Sequence, residues 1–146
     1  MTMVKVRMCG PNGEFPETLW ATQVDTSLYQ IDNSPFFMYG VSWQDVVEAR
    51  PADDGFLEYV RCVKKSGNRT VRVIFQHDST ADPGAQEVLT GLQDLGCTYE
   101  GHQPKMVSVN VPPAVELAGV ASFLTQHDLR WEYADPTYEE VTGRVN

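Results

Sequence analysis

The stretch that decides the fold begins Thr70-Val71-Arg72-Val73-Ile74-Phe75, crosses a polar loop to Asp82-Pro83, and runs on to Leu95-Gly96. Val71, Val73 and Phe75 alternate with Arg72, Ile74 and Gln76, the two-residue period of a strand with one apolar face. Asp82 suits a helix N-cap and Pro83 suits the first helical turn. Ala85, Val88, Leu89, Leu92 and Leu95 then keep the three-and-four spacing of a buried helical stripe until Gly96 stops it. Downstream, residues 97–101 and 105–111 read as strands around the turn His102-Gln103-Pro104. After Pro112-Pro113 a second helix is expected to about His127, with Ala114, Leu117, Ala118, Ala121 and Leu124 on one stripe, and residues 129–133 read as a last strand. Strand, helix, strand, strand, helix, strand is the order of a ferredoxin-like βαββαβ unit.

Upstream the pattern is different. Met3–Met8 alternates as a strand, and Cys9-Gly10-Pro11-Asn12-Gly13 breaks it with loop chemistry. Residues 17–24 and 28–32 read as a hairpin about Asp25-Thr26-Ser27, and residues 46–50 and 56–65 as two further strands around Pro51-Ala52-Asp53-Asp54-Gly55. Short strands with frequent turn signals, and no room for a helix of ordinary length, point to a small barrel. The fold class expected is therefore α+β. A small N-terminal β-barrel-like unit (residues 1–66) packs on a C-terminal ferredoxin-like βαββαβ unit (67–135), and a polar tail follows (136–146).

Between the barrel strands lies Asp32-Asn33-Ser34-Pro35-Phe36-Phe37-Met38-Tyr39-Gly40-Val41-Ser42-Trp43-Gln44-Asp45. With Trp20 and Tyr29 it gathers six aromatics in a short, turn-punctuated region. Trp20, Phe36, Phe37, Tyr39 and Trp43 are candidates for binding, since aromatic residues serve as interface anchors; the competing expectation is that they plug the barrel and contact the second unit. On the sheet face away from the helices, Arg72, Gln76 and Asn110 are expected to point outward, either as a ligand or protein-binding face or beneath the barrel. That face lacks the stacking aromatics of an RNA-recognition sheet.

The 146 residues carry 11 Lys and Arg against 20 Asp and Glu, a formal net charge of −9. This balance disfavours nucleic acid and anionic membranes and suits a basic protein partner, because complementary potentials speed encounter. Cys9, Cys62 and Cys97 have neither disulfide-framework nor zinc spacing, so no metal site is expected. No phosphate loop, dinucleotide fingerprint, GxSxG or HExxH occurs, and no cofactor or catalytic residue is assigned. His77-Asp78, with Asp82 nearby, sits between a strand end and a helix start, where reacting groups often lie, and is the best candidate should the chain be an enzyme. No signal peptide or membrane-length apolar run is apparent, and a cytoplasmic location is expected.

Glu17-Thr18-Leu19-Trp20-Ala21, Tyr29, Asp32 through Phe37, Tyr39-Gly40-Val41-Ser42 and Asp45-Val46-Val47 resemble the signature of a bacterial family catalogued as domain of unknown function 4265. The likeness spans about residues 15–135 and takes in the Ser66-Gly67 turn. It implies a bacterial protein and carries no reaction or cofactor with it. The leading expectation is thus a non-catalytic binding protein for a protein partner, one version being an immunity or antitoxin-type protein that neutralises a basic toxin. A small-ligand-binding regulatory domain is the alternative, and an enzyme centred on His77 and Asp78 the third.

Overall fold

In the computed structural model, which describes residues 2–10, 14 and 17–144, alternation along the first five strands closes a barrel. The strands are β1 (Met3–Met8), β2 (Glu17–Asp25), β3 (Leu28–Ile31), β4 (Val46–Pro51) and β5 (Leu57–Lys64). Neighbours are antiparallel, and β1 meets β5 in parallel through Val6 and Leu57 to complete the ring. Val6, Met8, Leu19, Ala21, Tyr29, Ile31, Val47 and Ala49 point inward. Pro11, Asn12 and Gly13, part of the loop read after β1, lie outside the described residues.

The alternation of a strand fails along β5 at two places, opposite Val46/Val47 and opposite Glu48/Ala49. Tyr59 pairs with Ala49 and Arg61 with Glu48, so Val60 has no partner opposite it. Such a bulge puts one extra residue into one strand and re-aims its side chain. Tyr59 and Cys62 therefore both pack on the barrel core although they are an odd number of residues apart, while Val60 is pushed out to 48% exposure.

The second half builds β6 (Arg69–Ile74), α1 (Pro83–Leu95), β7 (Thr98–Gln103), β8 (Met106–Val111), α2 (Leu117–Gln126), β9 (Arg130–Asp135) and α3 (Tyr138–Thr142). The sheet runs β7-β8-β6-β9 with every pair antiparallel. Val71, Val73, Phe75, Val107, Val109 and Val111 face the buried stripe of Ala85, Val88, Leu89, Leu92, Val120 and Leu124. Asp82 caps α1 by accepting from the Ala85 N–H, and Gly96 ends it in the left-handed conformation at φ 106°. Leu95, expected on the stripe, is 41% exposed.

α2 starts later than expected, because the segment after Pro112-Pro113 first makes turns and Glu116 becomes the N-cap. That shifts the buried face to Val120 and Leu124 and leaves Ala114 and Ala118 exposed. Nor is residue 136 onward only a polar tail: Thr137 and Glu140 form a reciprocal capping box that starts α3. β7 also runs two residues further than the sequence suggests, through residue 103.

Candidate binding site

Residues 32–45 leave the barrel between β3 and β4 as a closed loop. Its base is pinned where the Ile31 N–H donates to the Asp45 carbonyl and the Gln44 N–H donates to that of Ile31, at 2.9 and 2.8 Å. The loop is a strap lying across the sheet face that α1 and α2 leave uncovered. Ser108 Oγ donates to the Pro35 carbonyl at 2.7 Å, and Arg72 Nη1 donates to the Met38 carbonyl at 3.0 Å. The Gly40 N–H donates to the Ala134 carbonyl of β9 at 2.9 Å.

Arg72 and Asn110, expected on the face away from the helices either as a binding surface or beneath the barrel, are accordingly only 1% and 3% exposed. The two-residue period placed them on the correct face, but the strap turns that face into an interior. Burying an arginine calls for partners to its donors, and among the described residues Nε and Nη1 have them while Nη2 has no hydrogen-bond acceptor. Its Nε pairs with Glu132 at 3.0 Å, and its guanidinium stacks 4.6 Å from the centroid of the Tyr39 ring. The Tyr39 hydroxyl donates in turn to Glu132 at 2.8 Å.

A second polar cluster fastens the strap's C-terminal end. Lys65 Nζ sits between Asp45 and Asp135 at 2.5 and 2.6 Å and also donates to the Gly40 carbonyl. Ser42 Oγ lies 2.6 Å from Asp135 and 2.7 Å from Thr70 Oγ1. Burial alone would lower the Lys65 pKa, but its hydrogen bonds to Asp135 and Asp45 outweigh that and raise it. A lysine held as a cation cannot act as a base toward Ser42, which is itself fully buried. The cluster is a clamp and not a catalytic dyad.

The aromatic residues do not plug the barrel, contrary to one expectation for the strap. Met38 and Val41 occupy the barrel core, and Pro35 and Ser34 lie buried against the sheet. Phe36 and Trp43 are half-buried, and Phe37, Tyr39 and Trp20 are exposed. Trp20 lies apart from the strap's tip, beneath Lys5 Nζ at 4.8 Å. The conformation that turns Phe37 outward is held by Glu17. Its carboxylate accepts the N–H groups of Phe36, Phe37 and Met38 at 2.8–2.9 Å. Successive N–H groups of this kind form an anion-binding nest, here filled by the chain's own side chain.

Phe37 and Tyr39 form one wall of a cleft of about 640 Å³, with Met38, Cys9, Tyr59 and Val60 among its other lining residues. The bulge at Val60 thus contributes to this cleft, a feature no alternation in the sequence signals. Burial raises the pKa of the Tyr59 and Tyr39 hydroxyls, so both stay neutral at physiological pH.

Gln76 and His77 line a different cleft, of about 380 Å³, together with Asp82, His127 and Asp128. His77 and His127 both line it, although one follows β6 and the other ends α2. Asp78 is not in this cleft. Its carboxylate accepts from the Thr80 side chain and backbone N–H, which hold its pKa below the usual carboxylate range. Asp82 is engaged in capping α1. Among the described residues, no group of three or more His, Cys, Asp or Glu side chains is placed to hold a metal.

The three thiols are free. Cys97 is buried, Cys9 and Cys62 are half-buried, and burial raises the pKa of Cys97 and Cys62. Among the described residues no helix is long and apolar enough to cross a membrane.

No curated protein matches the chain. Its fold is similar to that of a solved structure, described as a novel crystal structure of a hypothetical protein from Neisseria gonorrhoeae. The TM-score is 0.73 at 19% identity, covering 94% of this chain and 96% of that one. A family model described as Domain of unknown function (DUF4265) matches residues 17–133, which include the barrel strands from β2 onward, the whole strap and nearly all of the second sheet. The chain belongs to the DUF4265 family.

Proposed function

We propose that this protein is a non-catalytic bacterial binding protein that recognises a basic protein partner, with Phe37 and Tyr39 as its anchors. The observation that carries the reading is the apolar cleft beside them. Phe37, Tyr39 and Val60 are 40%, 51% and 48% exposed around it, although the strap to which the first two belong is tightly fixed. Large apolar side chains gathered around one concave site mark interaction surfaces, and a rigid presentation lowers the entropy lost on binding. The partner would place an apolar side chain in the cleft, and the net charge of −9 would steer its basic surface inward. Neutralisation of a basic toxin in the cytoplasm is the sharpest form of this reading.

The two-unit organisation serves it by fixing the strap between barrel and sheet. The sheet order β7-β8-β6-β9, with both helices on one face, supports the ferredoxin-like description of residues 67–135.

The test is co-purification with a basic, nuclease-like product of a neighbouring gene. Replacing Phe37 and Tyr39 together by Ala is expected to weaken that complex by at least about a hundredfold, the loss of two hot-spot side chains. Bound partner should also slow alkylation of Cys9, which lines the cleft. Undiminished binding by the double variant, or an unprotected Cys9 in the complex, would sink the proposal.

A further inference from the structure

On the other side of the strap, Ser34, Trp43, Thr98, Tyr99, Glu100 and Asn110 line a cleft of about 350 Å³. Two of these residues carry buried polar atoms with no hydrogen-bond partner among the described residues, Ser34 Oγ and Asn110 Oδ1. Ser34 is 1% exposed and Asn110 3%. Buried polar atoms in folded proteins are nearly always paired, so two orphans on residues that line one cleft leave hydrogen-bonding capacity unmet just behind its surface.

The network fixes which way the Asn110 amide faces. Asn68 Nδ2 donates to the Trp43 carbonyl at 3.1 Å, to Ser66 Oγ at 3.2 Å and to Gln44 Oε1 at 3.4 Å. Its Oδ1 is thereby left to accept from Asn110 Nδ2 at 3.2 Å. Rotating the Asn110 amide would set two oxygens against each other, so Asn110 offers its own oxygen as an acceptor.

The remaining groups favour a cation. Glu100 accepts from the Ser34 N–H at 2.5 Å and from Asn33 Nδ2 at 3.3 Å, but among the described residues it has no cationic partner. A carboxylate keeps acceptor capacity beyond two bonds. Trp43 supplies an indole, the best ring for holding a cation, and its backbone is fixed by Ser66 and Asn68. Acceptors at Asn110 and Glu100, a hydroxyl at Ser34 and an aromatic wall suit a planar donor with several N–H groups.

We infer that this cleft binds a guanidinium group, carried either by a small free molecule or by an arginine side chain. The inference goes beyond the partner-binding role and uses neither Phe37 nor Tyr39.

Titration of ¹⁵N-labelled protein with methylguanidine tests it, with neutral N-methylacetamide as the control. Methylguanidine is expected to give saturable shifts at the Trp43 indole N–H and the Asn110 side-chain amide, while the control leaves both in place. Glu100→Gln should weaken the probe about tenfold, the loss of one charge-assisted contact. Ser34→Ala should weaken it severalfold while raising the Tm of the free protein, because an unpaired buried hydroxyl is removed. Loss of affinity in a more stable variant cannot come from unfolding. Agmatine and an N-acetylated Gly-Arg-Gly amide distinguish the sources: tighter agmatine binding marks a free molecule, and tighter peptide binding marks a protein arginine. Equal shifts with N-methylacetamide, unchanged affinity in both variants, a lowered Tm in Ser34→Ala, or no response to any guanidinium probe would each overturn it.

Discussion

Lys65 illustrates how one half-exposed side chain organises two buried carboxylates. Asp45 is fully buried and Asp135 is 7% exposed, and both lie on Lys65 Nζ. Lys65→Met strands these charges. Uncompensated buried charge costs about 3–5 kcal/mol, but the lysine is 47% exposed and solvent screens part of the loss. A destabilisation of about 2–3 kcal/mol is expected in urea unfolding. The sign with pH follows from the raised folded-state pKa. The folded protein holds this proton more tightly than the unfolded chain does, so the contribution is complete below the ordinary lysine pKa. It is lost as pH rises through the higher folded-state value. Wild-type stability should therefore fall on the alkaline side by more than that of Lys65→Met; parallel alkaline limbs would show that Lys65 is not the clamp. Nothing local in the sequence marks Lys65 out from Lys64 beside it. What distinguishes them is Asp135, some seventy positions away along the chain.

Among elements, the strands and α1 were legible because alternation, Asp82-Pro83 and Gly96 are local signals with local causes. The Val60 bulge was not, since it exists only in the pairing of β5 with β4. α3 is legible in Thr137 and Glu140, whose spacing is that of a capping box, although the segment around them is mostly polar. The strap is the case where local reading found the right segment and the wrong packing. Its aromatic density marks the segment, but the residues that enter the barrel are Met38 and Val41. The reason is Glu17, on another strand, which fixes three successive N–H groups and so decides which side chains turn outward. Glu17→Ala removes all three acceptor contacts at once. Hydrogen bonds to a charged acceptor are worth about 1.5–3 kcal/mol each, and water can replace some of them at this half-buried site. A net loss of about 2–3 kcal/mol is expected, with faster amide exchange at residues 36–38. Unaltered exchange there would mean that the sheet alone holds the strap.

At the scale of the molecule, barrel and sheet are joined by polar contacts that no periodicity predicts. Arg72 and Asn110 read only as residues of the sheet face away from the helices, open to a ligand or to the barrel, until the strap is laid over them, and nothing local shows that Ser34 and Ser42 are buried. The same contacts make the two sheets energetically dependent. Without the strap, Arg72, Thr70, Ser108 and Asn110 face water; without the sheet, the carbonyls of Pro35 and Met38 lose their donors. Urea unfolding should accordingly be one transition, with the far-UV circular dichroism of α1 and α2 coinciding with the fluorescence of Trp20 and Trp43, read in a Trp131→Phe background because Trp131 packs on the core beneath the helices. Arg72→Leu keeps much of the side-chain volume but takes the donor from the Met38 carbonyl and the cation from Glu132, while Ser108 still donates to the Pro35 carbonyl and Tyr39 to Glu132. Glu132 is half exposed and can turn to water, so the buried Met38 carbonyl accounts for most of the effect. A loss of about 2–3 kcal/mol is expected, a large share of the 5–15 kcal/mol that holds a typical domain. With that coupling weakened, the fluorescence midpoint should fall below the circular dichroism midpoint, because the strap and barrel lose their support before the helices do. Two separate transitions already present in the wild-type protein would show instead that barrel and sheet fold independently and that the strap merely rests on the sheet.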